Sequence, residues 1–539
     1  MVGTYQNANE KAQQTYPITP SEMDNQRSLL TTILDQASRS SFYKDSVHSD
    51  IALDYLDTLP VTHYSAIKEA VDRVGWDGIL LQPADYLFET SGSTGDPKRI
   101  PYSSADVDRV AEDYALVLGH VGVSRTDVGW NVGGAYPLVS GVVVDRAISK
   151  IPLDRSLSTM LTGDTDLIKA FKGACEVDRI DVMGTATIMY HLMSRACDDP
   201  TYLQDLVKAK LNKDYRLPKP LAAIVAKLYL RGVDLDKLRK LGAKVRVGIS
   251  YAEPLTAYRD EIRRTFQCIR MVDVFGSTEW PLIAAQLDPS TEGLCLYVNS
   301  FIAEIARPED LHPSENEEGR SVPGIPWWRW TKGMRGELLL SRPGECFPLG
   351  RYATGDMIEV LDPAYEANVQ DAVDGTSVKA KFPLIKVLGR SVDVLDYEVK
   401  DERGDLFGNK VYSRQINDAL QGAQNVRWWE VFVVEGTPAW MLFVITPQKK
   451  PDDPEAFRRL LLNRLTNEIN DPTHTIKVGD ELGRFELLIT PPEAYAVIQA
   501  EIDRRMSEGR PIGQLKPKRI HRVSEEQLKT ALLLRQIEN

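Results

Sequence analysis

The sequence predicts an α/β protein, with a large layered N-terminal domain and a small C-terminal α+β domain. Three observations lead there. Apolar strand-like segments alternate with amphipathic helical stretches through the middle of the chain. A Gly/Ser/Thr loop at 90–98 lies between a short strand (86–89) and a second strand-like segment (99–102). After about residue 390 the pattern changes to two strands, a helix and a strand, so the expected domains are 1–389 and 390–539. A chain of 539 residues is also too long for one compact core.

Residues 20–75 read as helix with breaks, one of them at Leu59-Pro60-Val61-Thr62. Ser103 or Ser104 reads as a helix N-cap, with Asp106 and Asp108 in the first turn. Val107, Val110, Ala111, Tyr114 and Leu118 follow at helical spacing. Segments 177–183, 243–247 and 269–274 are strand candidates. In the C-terminal part, 427–434, 440–445 and 484–489 read as strands. A helix over 454–469 would carry Phe457, Leu460, Leu461, Leu465 and Ile469 on one side.

Net charge is −12, which argues against nucleic acid as the main partner, because phosphate backbones need a basic surface. No apolar run reaches membrane-helix length, and the polar residues 1–19 lack a secretory core. The five cysteines are scattered, with no CxxC pair, so neither a zinc site nor a disulfide framework is expected. A cytoplasmic protein without nucleic-acid or membrane partners is the expectation; oligomeric state is not legible.

The strongest motif is Thr90-Ser91-Gly92-Ser93-Thr94-Gly95-Asp96-Pro97-Lys98. A phosphate cradle needs glycines for close backbone approach, hydroxyl donors and one mobile lysine, and all are present. It is not a Walker A loop, since Pro97 stands where that pattern has glycine. Taken alone, a flexible surface turn competes seriously.

Four further segments carry weaker signals. In Phe275-Gly276-Ser277-Thr278-Glu279 the aromatic can stack on a base, a hydroxyl can reach a phosphate and the carboxylate can hold Mg²⁺; a strand-ending turn reads as well. In Arg351-Tyr352-Ala353-Thr354-Gly355-Asp356 a loop aspartate before a strand at 357–361 can accept from ribose hydroxyls; a plain turn is an equal reading. Leu388-Gly389-Arg390-Ser391-Val392-Asp393 lies where the chain changes character, as a hinge or an ordinary linker. Gly513 to Arg519 is a basic loop in which Lys516 could bridge anionic reactants; a solvated charge run is the plainer reading.

In this order, the five segments resemble the adenylate-forming enzymes: acyl- and aryl-CoA ligases, peptide-synthetase adenylation domains and luciferases. The first is similar to that superfamily's TSG(S/T)TGxPK loop without departure. The others resemble its YGxTE motif (with Phe275 for Tyr), its YxTGD motif, its GRxD hinge and its C-terminal lysine region. The segments run from 90 to 519, so the resemblance covers nearly the whole chain. It is nearest to the phenylacetate-CoA ligase-like branch, through the early phosphate loop, Ser41 to Lys44 with Thr58 to Thr62, and Pro348 to Asp356. Gln514-Leu515-Lys516 also resembles plant acyl-acid amido synthetases.

The resemblance implies ATP and Mg²⁺ as cofactors, coenzyme A as co-substrate, and a small-molecule carboxylic acid as substrate. It implies that Ser91, Thr94 and Lys98 hold the β- and γ-phosphates, within a nucleotide loop of Thr90, Ser91, Gly92, Ser93, Thr94, Gly95 and Lys98. It implies that Phe275 flanks the adenine, with the backbone of Gly248 to Glu253 on its other side, that Gly276 and Ser277 also bind ATP, that Thr278 touches the α-phosphate, and that Glu279 binds Mg²⁺. Asp356 and Arg390 would hold the ribose. Lys516, preferred over Lys518, would bridge carboxylate and α-phosphate from a small domain that is mobile about the hinge, and Lys516, Thr278 and Lys98 would be the catalytic set. Val392 stands where the hinge motif has Asp. Tyr136 is the aromatic left to gate the acyl pocket. With Trp130, Met183 and Trp280 it suggests an apolar lining suited to an aromatic acid, though each reads equally as core. An amine or carrier thiol as acceptor, an unusual small anion as substrate, and a non-catalytic nucleotide-binding module are the competing readings.

Overall fold

Alternating strands and helices assemble into a 12-stranded sheet in a computed structural model of the chain. The structure describes residues 15–534 except 46, 48–50, 91–96, 152, 162–165, 216–217, 252–254, 256–258, 268–269, 312–321, 371–375, 392–393, 397–398, 401–405, 408–409, 422, 424, 437–438, 470–474, 499 and 501–518. Two compact units divide it. One comprises Met1–Gly92, Pro97–Thr354 and Ile358–Val387; the other comprises Ser93–Asp96, Gly355–Met357 and Leu388–Asn539.

In the first unit, helices α1 (Pro20–Arg39) and α2 (Tyr64–Val74) precede a two-stranded ribbon. Its strands β1 (Tyr86–Glu89) and β2 (Arg99–Tyr102) pair antiparallel, with Glu89 opposite Arg99. Helix α3 (Ser104–His120) follows at once. Ser103 is its N-cap: the Asp106 N–H donates to Ser103 Oγ at 3.0 Å, and the Ser103 N–H donates back to the Asp106 carboxylate at 3.1 Å.

The parallel part of the sheet comprises β3 (Val128–Gly134), β4 (Arg155–Leu161), β5 (Val182–Ala186), β6 (Val247–Tyr251) and β7 (Arg270–Phe275), in the order β4-β3-β5-β6-β7. Strands β5 and β6 are buried throughout, as parallel strands covered on both faces must be. Both start later than the sequence pattern suggests. Asp181 is the reason: its carboxylate accepts the Val128 N–H, and its carbonyl accepts from Arg246 and Val247. Val177 and Ile180 are still buried, but in the approach to the strand.

The sheet continues with β8 (Ala284–Ala285), β9 (Leu294–Leu296), β10 (Ile302–Ala306), β11 (Gly324–Pro326), β12 (Arg335–Arg342), β13 (Leu349–Gln370) and β14 (Ser377–Arg390). The Arg351-to-Asp356 segment, expected as a loop before a strand, lies inside β13. Left-handed backbone at Arg351 (φ 40°) and Gly355 (φ 76°) interrupts the pleat there, which explains the turn-like sequence.

In the second unit, β15 (Val426–Val434), β16 (Trp440–Pro447), β17 (Phe485–Ile489) and β18 (Ile520–Val523) form a sheet in the order β17-β16-β15-β18. Side chains alternate between its faces. Trp429, Val431, Met441 and Phe443 cluster with Phe457 and Leu461 of the helix Pro454–Asn463. Phe432, Val434, Leu442 and Val444 face Leu528 and Leu532 of the helix Glu525–Leu534. The α/β class, with a further α+β unit, is the fold observed. No described helix is long and apolar enough to cross a membrane.

Asp113 sits on the buried face of α3 and accepts from Ser300 Oγ at 3.0 Å. Burial away from water pushes its carboxyl up to about 7, with the Ser300 bond opposing. Between pH 3.8 and about 7 the folded chain therefore holds a proton that the unfolded chain releases. The contribution of this group to stability is full below that window, falls as pH rises through it, and is lost above it. Asp113→Asn should remove the slope, gaining on wild type by at most about 4 kcal/mol from pH 4 to pH 8. Denaturation midpoints across that range check this; parallel curves for the two proteins would contradict it.

Candidate functional site

The two ends of the phosphate-loop motif are joined to each other. The Thr90 N–H donates to the Lys98 carbonyl at 2.9 Å, and the Lys98 N–H donates to Thr90 Oγ1 at 2.8 Å. This fixes where the chain leaves β1 and re-enters β2. Ser91, Gly92, Ser93, Thr94 and Gly95 lie outside the described residues.

Lys98 meets Glu279 from the second motif. Their nearest atoms, Nζ and Oε1, are 3.7 Å apart, and the Glu279 side chain is only 5% exposed. The Tyr352 hydroxyl joins them. It accepts from Lys98 Nζ at 3.1 Å and donates to Glu279 Oε1 at 2.5 Å. The Tyr64 ring faces the same ammonium, with Nζ 5.5 Å from its centroid, and its hydroxyl accepts the Arg99 N–H at 2.7 Å. Burial pushes the Tyr64 phenol up, so this hydroxyl stays protonated at neutral pH.

The turn carrying Glu279 is tightly built. Phe275 ends β7, half-buried, and Gly276 follows. A Cβ at Gly276 would stand 1.8 Å from the Pro281 carbonyl oxygen, so only glycine fits. The Ser277 N–H donates to the Trp280 carbonyl at 3.0 Å. Thr278 is buried, and its carbonyl and that of Glu279 lie 3.0 and 2.7 Å from the Tyr102 hydroxyl. Arg342 Nε donates to the Glu279 carbonyl at 2.9 Å. Rigid partners on β2 and β12 thus hold the carboxylate in place.

Asp356 and Arg390 come together in the second unit, with Nε and Oδ1 3.0 Å apart. The Ser391 N–H donates to the Gly355 carbonyl at 2.7 Å, tying the third motif to the fourth. Both residues were expected on a ribose; the structure pairs them with each other. Lys516, Val392 and Asp393 lie outside the described residues.

The two acyl-pocket candidates differ. Tyr136 is 56% exposed, its ring centroid 6.4 Å from that of Tyr86 and 6.1 Å from that of Phe88. It stands over the strand that leads into the phosphate loop. Trp280 is fully buried against Phe301 and presents no open face. Trp327 is core as well, donating from Nε1 to Gln26 at 3.1 Å. Sequence reasoning gave no role to Tyr64, Tyr102, Arg342 or Tyr352. Tyr352 alone lay inside a quoted motif; the others carry no local signal.

Among the described residues no group of three His, Cys, Asp or Glu side chains could hold a metal. A buried carboxylate such as Glu279 suits Mg²⁺, which takes one or two carboxylates together with substrate phosphates and waters.

The fold is similar to that of 2-hydroxyisobutyryl-CoA ligase in its postadenylation state (TM-score 0.63, 13% identity, 97% of this chain and 94% of that one). It is also similar to that of the GH3.15 acyl acid amido synthetase (TM-score 0.61, 13% identity, 95% and 93%). In sequence, phenylacetate-coenzyme A ligase of Escherichia coli (strain K12) is 29% identical over 165 residues. That match spans 30% of this chain and 33% of the relative. The fold is thus one shared with an acyl-CoA ligase and an acyl acid amido synthetase. Residues 13–134 of the chain match the GH3 family N-terminal domain.

Proposed function

We propose that the chain activates a small carboxylic acid with ATP and passes the acyl-adenylate to coenzyme A. The observation that carries this reading is the Lys98–Tyr352–Glu279 cluster beside a glycine-rich segment whose ends are joined to each other. A cation and a buried carboxylate at one loop suit a nucleotide with its divalent ion.

The acid's carboxylate attacks the α-phosphorus and pyrophosphate leaves. Anions must be brought together, so neutralisation and positioning carry the rate. Ser91, Thr94 and Lys98 hold the β- and γ-phosphates, and Thr278 the α-phosphate. Asp356 and Arg390 hold the ribose, and Phe275 flanks the base. Glu279 would hold Mg²⁺, which when bound offsets negative charge on the phosphates. In this reading Tyr136 faces the acyl group, and an aromatic acid fits that choice. Residues 1–389 bind ATP and acid, and residues 390–539 supply Lys516 to the first half-reaction.

A second reading has a specific basis. The match at residues 13–134 is to the GH3 family, and GH3.15 is an acyl acid amido synthetase. The same adenylate would then be attacked by an amine. Supplying coenzyme A or a panel of amines to a preformed adenylate separates the two: thioester supports the first reading, amide the second.

Lys516→Ala separates the half-reactions. Adenylate formation should fall about 100-fold or more, while attack on a supplied adenylate persists. Equal loss in both steps would remove Lys516 from its assigned role.

A further inference from the structure

Lys98 and Glu279 are opposite charges in a largely enclosed space, yet their nearest atoms stand 3.7 Å apart, too far for a direct hydrogen bond. The Tyr352 hydroxyl bonds to both, from the apex of a triangle. An ammonium can only donate and a carboxylate can only accept, so the phenol that bonds both must take one hydrogen bond and give the other. The distances of 3.1 and 2.5 Å suit that order. Lys98 Nζ also stands 5.5 Å from the Tyr64 ring centroid. The Arg99 N–H holds Tyr64 by its hydroxyl, so this wall is fixed to the lysine's own strand. Tyr352 is fully buried in β13 and cannot swing away.

Resting on the reading above, in which Lys98 meets phosphate and Glu279 a divalent cation, we propose that Tyr352 is a positioning residue that keeps the two charges apart until nucleotide arrives. At 3.7 Å the two groups already attract, but closure to a direct hydrogen-bonded pair would tie up the atoms that ligand binding needs. Such a pair would also have to be broken before either could serve, at the cost of exposing a buried charge. The bridge avoids this trap. Lys98 rests on a neutral oxygen and the Tyr64 ring, which compete with an incoming phosphate far less than a carboxylate alone would. Tyr352 thereby makes the site ready rather than closed on itself.

Tyr352→Phe deletes only the bridging oxygen and keeps the ring. In the full chain, the affinity for ATP should fall about 10-fold as Lys98 closes on Glu279. The KM for MgATP should rise with it, and half-maximal activity should need more Mg²⁺. In pyrophosphate exchange, kcat should stay within about 2-fold, since the bridge acts before chemistry. A second background makes the test specific. In Glu279→Gln the lysine has no carboxylate to close on, so adding Tyr352→Phe should weaken Mg²⁺-free ATP binding less than about 2-fold.

Calorimetric titration of ATP into the four proteins reads this directly. A 10-fold loss confined to the Glu279 background supports the spacer. Equal affinity of wild type and Tyr352→Phe overturns it, as does the same loss in both backgrounds, which marks a merely structural tyrosine. Wild type that binds no ATP overturns the functional reading and the spacer with it; wild type that binds ATP and is indifferent to Tyr352 overturns the spacer alone.

Discussion

Glu279→Gln is expected to slow carboxylate-dependent pyrophosphate exchange by about 100- to 1,000-fold, the scale of removing one preorganised charge-stabilising group from a site. The substitution keeps shape and burial but removes the negative charge. The partners of Glu279 include the Lys98 ammonium and the Tyr352 hydroxyl, which differ in character. Glutamine can still accept from tyrosine, so the turn should survive, held as it is by Tyr102 and Arg342 through backbone carbonyls. What is lost is the anionic donor that would hold Mg²⁺. Raising the Mg²⁺ concentration should therefore recover part of the rate, with the melting temperature little changed. A rate within about 3-fold of wild type would remove Glu279 from the chemistry.

Arg351→Ala is expected to destabilise the fold by about 3–5 kcal/mol, because it leaves a buried carboxylate without its counter-charge. The Arg351 and Glu304 side chains are 0% and 1% exposed, with Nε and Oε2 3.0 Å apart. Burial raises the Glu304 carboxyl, and Arg351 opposes that shift. The same guanidinium donates to the carbonyls of Asp57, Leu59 and Val322. It therefore ties the segment before α2, the helix that begins at Tyr64, to the sheet. Truncation abandons three carbonyls as well as the carboxylate. Urea titration measures the loss, and the double variant Arg351→Met with Glu304→Leu should recover much of it, since an apolar pair removes the stranded charge. A loss under about 1 kcal/mol would show that water reaches the pair.

The layered fold was legible because strand burial and helix amphipathicity leave periodic marks. The α+β unit shows this well: the apolar residues of 427–434 and 440–445 divide between two faces. Strand starts were less legible. Val177 and Ile180 are as apolar as strand residues, and only the hydrogen bonds of Asp181 reveal that β5 begins at Val182. The Arg351-to-Asp356 motif reads as a turn because its glycine and its left-handed arginine have turn-like geometry, though β13 runs through it.

Candidate residues were legible where a motif carries its own chemistry, as with Lys98 and Glu279 in the first unit. They were illegible where chemistry depends on distant contact. Lys98 and Tyr352 are 254 positions apart, and Tyr102 reaches carbonyls 176 and 177 positions away. No local pattern announces such bonds. Trp280 shows the converse: an aromatic beside a motif invites a ligand-facing role, but burial against Phe301 makes it core.

The central claim is tested most directly by carboxylate-dependent exchange of labelled pyrophosphate into ATP. A panel of aryl, short-chain and amino acids would be supplied without coenzyme A. The account predicts exchange that requires Mg²⁺, is selective for one class of acid, and falls in Glu279→Gln. Absence of exchange with every acid, in a protein that binds ATP, would contradict adenylate formation from a carboxylic acid.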